Sequence, residues 1–257
     1  MHLAMYIHDC SPIHGILKLT EDGEIEALTD EAEGIKFGTT DAVTVAKNGV
    51  LYFTDASWKY DLHDFALDIL EGRPYGRLMS YDPSTKQTKV IARDLYYANG
   101  VEMSPEQDFV VFCETPMMRC SRYYIHGEKE GSTDVFIDRL PGMPDNIHYD
   151  GEGHYWIGIA AVRAYTRMGS CTQISIYSKA FGIFGKVLEK TFGREKCRGG
   201  VVVDLNGNPI ARYYDPDLKS VTSVIKIREH LYLGNLVKSF IIRLNLTQYP
   251  ATAPSST

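Results

Sequence analysis

Three stretches of the chain decide its fold: Asp41-Ala-Val-Thr-Val-Ala-Lys-Asn-Gly-Val-Leu-Tyr-Phe53, Asn99-Gly-Val-Glu-Met-Ser-Pro-Glu-Gln-Asp-Phe-Val-Val-Phe112 and Asp145-Asn-Ile-His-Tyr-Asp-Gly-Glu-Gly-His-Tyr-Trp-Ile157. Each opens on Asp or Asn and alternates like a half-buried strand. Each then passes a turn such as Asn48-Gly49 or Asp150-Gly151 and closes on an apolar run suited to a buried strand. Working outward, each hairpin is followed by a pair of outer strands. These are residues 76–82 with 88–92, then 122–126 with 133–137. Corresponding positions recur about every 45 residues, the size of a four-stranded propeller blade. The carboxyl third repeats the scheme loosely. Residues 200–204 and 209–213 flank the turn Asn206-Gly207, and 223–227, 230–234 and 239–244 follow. An all-β chain built as a β-propeller is the expected fold. A β-sandwich is the alternative, because short strands alone do not separate the two.

The strand inventory amounts to four to five blades. Residues 1–30 hold most of one, three fuller blades follow, and the last lacks its closing partner. A ring that ends on unpaired edges invites association, so upstream sequence is expected to be missing and the isolated chain is expected to aggregate. Two helical insertions interrupt the pattern. In residues 61–71, Leu62, Phe65, Ala66, Ile69 and Leu70 lie at helical spacing between a capping Asp61 and a stop at Gly72. In residues 178–190, Phe181, Phe184, Val187 and Leu188 form a similar stripe. Core or lid packing is the expected role of both, with contact at a membrane surface as the alternative. Residues 1–247 therefore read as one incomplete propeller, and 248–257, with Pro250 and Pro254, as a disordered tail.

Composition narrows the function. The 27 basic and 33 acidic residues give a net charge of −6, which argues against a nucleic-acid binder. No run approaches the roughly 18 apolar residues of a membrane span. The start, residues 1–9, reads as a strand without the basic region and apolar stretch of a signal peptide. The five cysteines, Cys10, Cys113, Cys120, Cys171 and Cys197, lack the short spacings of zinc or redox sites. Buried free thiols are expected, with one disulfide as the alternative in a secretory chain.

The segments Gly76-Arg-Leu-Met-Ser-Tyr-Asp-Pro83 and Pro141-Gly-Met-Pro-Asp-Asn-Ile147 carry a family resemblance. So do Tyr52-Phe-Thr-Asp-Ala-Ser57, Ala98-Asn-Gly-Val101, Phe112-Cys-Glu-Thr115 and Gly127-Glu-Lys-Glu-Gly131. From about Tyr6 to Leu246 the chain resembles the plant strictosidine synthase-like proteins, of the group related to adipocyte plasma membrane-associated protein. The resemblance implies a six-bladed propeller, of which this chain would begin about one and a half blades late. It also implies an endomembrane, endoplasmic-reticulum, vacuolar or secretory location. In the wider superfamily of paraoxonase-like and gluconolactonase-type enzymes, calcium sits at the top of the channel. By that resemblance Asn99, Asp145 and Asn146 occupy ligand positions, with Asp41 beside Thr40 as a further one. A hard cation takes several oxygen donors, which converging inner strands can supply. The structural alternative is that these Asn and Asp side chains bond neighbouring loops or initiate turns.

Strictosidine synthase proper condenses an amine with an aldehyde through a last-blade glutamate. The matching stretch, Lys219-Ser-Val-Thr-Ser-Val-Ile-Lys-Ile227, has no carboxylate, and Thr222 or Ser223 stands in its place. A hydroxyl does not replace a carboxylate as a base near neutral pH, so that activity is not expected. His148, two residues after Asn146, shares its strand face and would move protons beside a metal-activated water, as in lactonases. A strand histidine bonded to its neighbours is the structural alternative. No serine lies in a GxSxG elbow, so an acyl-enzyme has no support from motifs, and no GxGxxG or P-loop is present. Glu114 is expected to pair with Arg119 or Arg122, with a channel-facing position as the alternative, and Asp55, at the equivalent place one blade earlier, is expected to have a blade-packing role. Asn245-Leu-Thr247 is a glycosylation sequon if the chain enters the secretory pathway. Two functions stay open: hydrolysis of a small ester or lactone bound in the central channel, or non-catalytic binding of a ligand or partner.

Overall fold

Every turn former singled out above closes a hairpin. The Asn48 carboxamide oxygen accepts from Val50 N at 3.1 Å, and the Asp150 carboxylate accepts from Glu152 N and His154 N at 2.7 and 3.1 Å. These side chains stand in for backbone partners where the chain reverses. The computed structural model describes residues 15–162, 199–214, 221–235 and 239–249. A hairpin of β1 (Ile16–Leu19) and β2 (Ile25–Thr29) is followed by a short one of β3 (Glu31–Ala32) and β4 (Ile35–Lys36). Next come three antiparallel four-stranded sheets, each in simple sequential order. The first holds β5 (Thr40–Val45), β6 (Leu51–Asp55), β7 (Gly76–Asp82) and β8 (Gln87–Leu95). The second holds β9 (Ala98–Met103), β10 (Phe109–Glu114), β11 (Arg119–Tyr124) and β12 (Thr133–Ile137). The third holds β13 (Gly142–Tyr149), β14 (His154–Val162), β15 (Gly199–Asp204) and β16 (Pro209–Tyr214). A three-stranded sheet of β17 (Val221–Ile227), β18 (His230–Asn235) and β19 (Ile242–Asn245) ends the described chain.

The packing separates a propeller from a sandwich. A sandwich has one core between two layers; here a separate core lies between each successive pair of sheets. Val110 and Phe112 of β10 pack back onto Tyr52 and Leu78 of the preceding sheet. Val111 and Cys113, on the other face, pack forward onto Ile147, Tyr155 and Ile157 of the next. Trp156 continues the series towards Val224 and Leu231, and Phe53 and Met79 reach back to Ile16. Because second strands are buried on both faces, they read as continuous apolar runs. Phe53, Phe112 and Tyr155 are wholly buried, each worth roughly 1.5–3 kcal/mol. The first strands stand side by side, β5 against β9, β9 against β13 and β13 against β17. The chain is a β-propeller, with its first strands innermost.

At the end of each of two second strands sits a buried carboxylate paired with an arginine opposite. Asp55 accepts from Arg77 Nε and Nη2 at 3.1 and 2.7 Å, and from Gly38 N and Thr39 N at 3.2 and 3.1 Å. Glu114 accepts from Arg119 Nε at 2.6 Å and from Tyr96 N at 3.0 Å. Each carboxylate thus fixes the segment that leads into its own sheet's inner strand; Glu114 pairs with Arg119 as expected, and Asp55 serves its blade through a pairing with Arg77 that the sequence did not single out.

Two expectations change. Cys113 and Cys120 are buried as expected but are joined in a disulfide. The tight β10–β11 turn places them directly opposite in the antiparallel register, with Cα atoms 3.9 Å apart. Cys10, Cys171 and Cys197 lie outside the described residues, as do the insertion at 178–190 and residues 250–257. The first insertion forms as expected. Asp61 caps a single 3-10 turn, Leu62–Asp64, leading into α1 (Phe65–Glu71), and Gly72 ends it in the left-handed conformation at φ 64°. Its apolar stripe is only half-buried, however, and Phe65 is exposed. The buried position on this helix belongs to Asp68, whose Oδ2 has no partner. Desolvation pushes the Asp68 carboxyl up to about 6.

Two predictions follow from these carboxylates. Asp55→Ala leaves the Arg77 charge buried and unpaired, and should cost about 3–5 kcal/mol in urea unfolding. The double change Asp55→Leu with Arg77→Met, which removes both charges, should cost clearly less. For Asp68 the folded carboxyl holds its proton to higher pH than the unfolded one. Between about pH 4 and pH 6 the unfolded chain therefore binds fewer protons, and stability falls as pH rises. Asp68→Asn should flatten the decline in melting temperature across that window; an unchanged slope would contradict the burial of this charge.

Candidate functional site

The first strands meet at their inner edges without sharing a ladder, so their backbone groups need other partners. Side chains from the neighbouring sheet supply them. Thr54 Oγ1 donates to Asn99 O at 2.7 Å, Thr115 Oγ1 to Pro144 O at 2.9 Å, and Asn146 Nδ2 to Thr222 O at 3.1 Å. Approach between first strands is close at Gly100. A Cβ there would lie 2.6 Å from both Asn146 Cα and Asp145 O, so only glycine fits.

The expected site residues lie on three adjacent inner strands. Asp41 lies on β5, Asn99 on β9, and Asp145 and Asn146 on β13. Burial pushes the Asp41 carboxyl up to about 7. Asp145 is raised well above the ordinary carboxylate range, first by burial and then by the negative charge of Asp41. No arginine or lysine pairs with either among the described residues. Asn146 spends its amide hydrogens on Asp145 Oδ1, at 2.8 Å, and Thr222 O. Asn99 is buried, and its Oδ1 has no donor. Oxygen atoms thus dominate the cluster, two carboxylates and an orphaned carboxamide oxygen among them. That donor set fits a hard divalent cation.

A second polar layer lies deeper along the same strands. Thr44 Oγ1 donates to Glu102 Oε1 at 3.1 Å, and Met103 N and Tyr149 N hold the same carboxylate at 2.9 and 3.3 Å. Glu102 Oε2 stands 3.9 Å from His148 Nδ1, and His148 Nε2 shares a 2.9 Å hydrogen bond with Ser223 Oγ. The expectation that Asn146 and His148 share a face holds, since both reach β17 while Ile147 between them is buried in the core. Burial lowers the His148 pKa, which favours the neutral ring.

Sequence reading missed Glu102, Tyr97 and Asp68. Tyr97 is buried, in the left-handed region at φ 45°, and its hydroxyl pKa is raised by burial and then by Asp41, Asp68 and Asp145. Phe65 of α1 packs edge-on against it at 6.5 Å, which brings the helix to the acidic cluster. A two-residue alternation from Gly100 to Glu102 would have put Glu102 on the inner face. The pairing of Ser223 with His148 left no motif to find. Asn245 sits apart from the site, at the end of β19, where its side-chain oxygen accepts from Thr247 N at 2.9 Å.

Comparison with known proteins agrees with this architecture. A family model described as strictosidine synthase matches residues 41–128. The chain is 50% identical over 244 residues to strictosidine synthase-like protein 6 of Arabidopsis thaliana, covering 92% of this chain and 63% of that protein. It is 36% identical over 225 residues to the adipocyte plasma membrane-associated protein of Rattus norvegicus, covering 83% of this chain and 59% of that one. It therefore spans less than two thirds of the length of these relatives. Among solved structures, a gluconolactonase from Xanthomonas campestris superposes with a TM-score of 0.58 at 15% identity, covering 86% of this chain and 62% of that one. Regucalcin from Agrobacterium tumefaciens, a calcium-binding protein, gives 0.58 at 17%, covering 88% and 63%. At such identities these two matches speak to the fold alone. The repeated blade motifs, the inner-strand geometry and the half-identical plant relative place the chain in the strictosidine synthase-like family.

Proposed function

We propose that the protein of which this chain is part hydrolyses small esters or lactones at the inner-strand face. In this reading Asp41, Asn99, Asp145 and Asn146 offer oxygen donors to a calcium ion, and His148 moves the proton. One observation carries the proposal: two desolvated carboxylates, near enough for Asp41 to raise Asp145, lie on the inner strands that flank the one bearing the orphaned Asn99 Oδ1, and no arginine or lysine pairs with either among the described residues. Burial holds such carboxyls toward the protonated form, and a bound cation would displace those protons and take up the oxygen donors. A bound calcium would polarise the substrate carbonyl. His148, neutral and half-exposed, accepts the proton of the attacking hydroxyl and returns it to the leaving alkoxide. The calcium-binding regucalcin and the gluconolactonase of like fold support the reading. Condensation of an amine with an aldehyde finds no support, because β17 presents Thr222 and Ser223 and no carboxylate.

Passage through the secretory pathway forms part of the same proposal. The Cys113–Cys120 disulfide and the Asn245 sequon support it, since both belong to oxidising, glycosylating compartments. Among the described residues no helix is long and apolar enough to cross a membrane.

Calorimetric titration with calcium after chelator treatment should show one saturable heat. Calcium at about 100 times its Kd should stabilise the chain by about 2.7 kcal/mol. Asp145→Asn should weaken binding on the order of tenfold or more. A panel of aryl esters and lactones should show calcium-dependent turnover. Absence of both heat and turnover would leave the chain a binding module.

A further inference from the structure

We propose that Ser223 is a covalent nucleophile that takes the acyl group of an ester or lactone, with His148 as its base. The inference rests on the hydrolytic reading of the same face and names the atom that attacks. Ser223 and His148 come from inner strands 75 residues apart, and Oγ and Nε2 lie 2.9 Å from each other. That is the separation a nucleophile and its base require. The other ring nitrogen faces Glu102 Oε2 at 3.9 Å, beyond hydrogen-bond reach but close enough for the carboxylate to favour a proton on Nδ1. A proton there leaves the Nε2 lone pair for the serine hydroxyl. Such contacts often shorten only when substrate binds.

The surroundings hold this geometry without a nucleophile elbow. Glu102 is clamped by Thr44 Oγ1, Met103 N and Tyr149 N, so its carboxylate stays aimed. The register of β17 against β18 slips between Val221 and Ser223, and a bulge of this kind re-aims side chains beside active sites. Ser223 and His148 are both part-exposed, within reach of a small substrate, while the strand residues next to them, Ile147 and Val224, are buried.

The chemistry balances with water as the only co-reactant. Ser223 Oγ attacks the carbonyl carbon, the Oγ–C bond forms, and the hydroxyl proton passes to His148 Nε2. Collapse of the tetrahedral species breaks the bond to the alkoxide, which takes that proton from His148. Water then attacks the acyl-serine, gives its proton to His148, and the proton returns to Ser223 as the carboxylic acid leaves. Glu102 is a positioning residue that acts through the imidazole.

The test treats the 257-residue chain with an alkyl fluorophosphonate and, separately, with p-nitrophenyl acetate, followed by peptide mass mapping. Phosphonylation forms an Oγ–P bond and expels fluoride, so it reports the nucleophile without need of turnover. The expected result is one adduct, on Ser223, absent in Ser223→Ala and about a hundredfold slower to form in His148→Gln. Ser223→Cys should carry the acetyl group as a thioester at the same position, which guards against a folding defect in the alanine variant. Glu102→Gln should lower kcat about tenfold or more with KM unmoved, a split that a merely structural role would not produce. Turnover that persists in Ser223→Ala, with no adduct on Ser223, would overturn the nucleophile and leave hydrolysis standing. An adduct on Ser223 without ester or lactone turnover would support the nucleophile and remove the hydrolytic reading. An adduct elsewhere, or neither adduct nor turnover, would overturn the proposal.

Discussion

Unpaired backbone at the inner edges of the blades is the constraint from which the rest follows. A first strand has a ladder partner on one side only, and an unpaired carbonyl facing a neighbouring blade costs free energy unless a donor reaches it. Thr54, Thr115 and Asn146 are those donors, each crossing from one sheet to the next. They draw the strands together until only glycine fits at position 100. The polar side chains left over on these strands then have little water and few partners. Desolvated carboxylates and an orphaned carboxamide oxygen are the direct result of closing the edges in this way.

The inner face is thereby divided by depth. Near the strand starts, Asp41, Asn99, Asp145 and Asn146 form an oxygen-rich layer whose two carboxyls have no arginine or lysine partner among the described residues and are held toward the protonated form by burial. Two to three residues further along, Thr44, Glu102, His148 and Ser223 form a layer joined by two hydrogen bonds and the approach of Glu102 to His148 across four blades. The first layer suits a cation and the second suits proton movement.

Much of this was legible in the chain because propeller blades repeat. The hairpin grammar of residues 41–53, 99–112 and 145–157 reveals the sheets, and the Asp or Asn that opens each one marks the inner edge. Asp55 and Glu114 were readable as structural for the same reason, since they recur one blade apart. Features that occur once were not legible. Nothing adjacent to Glu102 announces that Thr44 and Tyr149 will hold it, and Ser223 meets His148 only because two blades pack. Asp68 was hidden by its own helix, whose apolar stripe pointed to a different buried face. The disulfide was misjudged because counting cysteines ignores register, whereas a seven-residue separation across a tight antiparallel turn sets two side chains directly opposite.

The paired Asp55–Arg77 and Glu114–Arg119 interactions have a consequence for how such a chain can change over evolutionary time. Both hold the blade from its second and third strands, away from the side chains of the inner strands. Exchange of an inner-strand side chain therefore leaves the clamp intact, and a blade can keep its shape while its chemistry drifts.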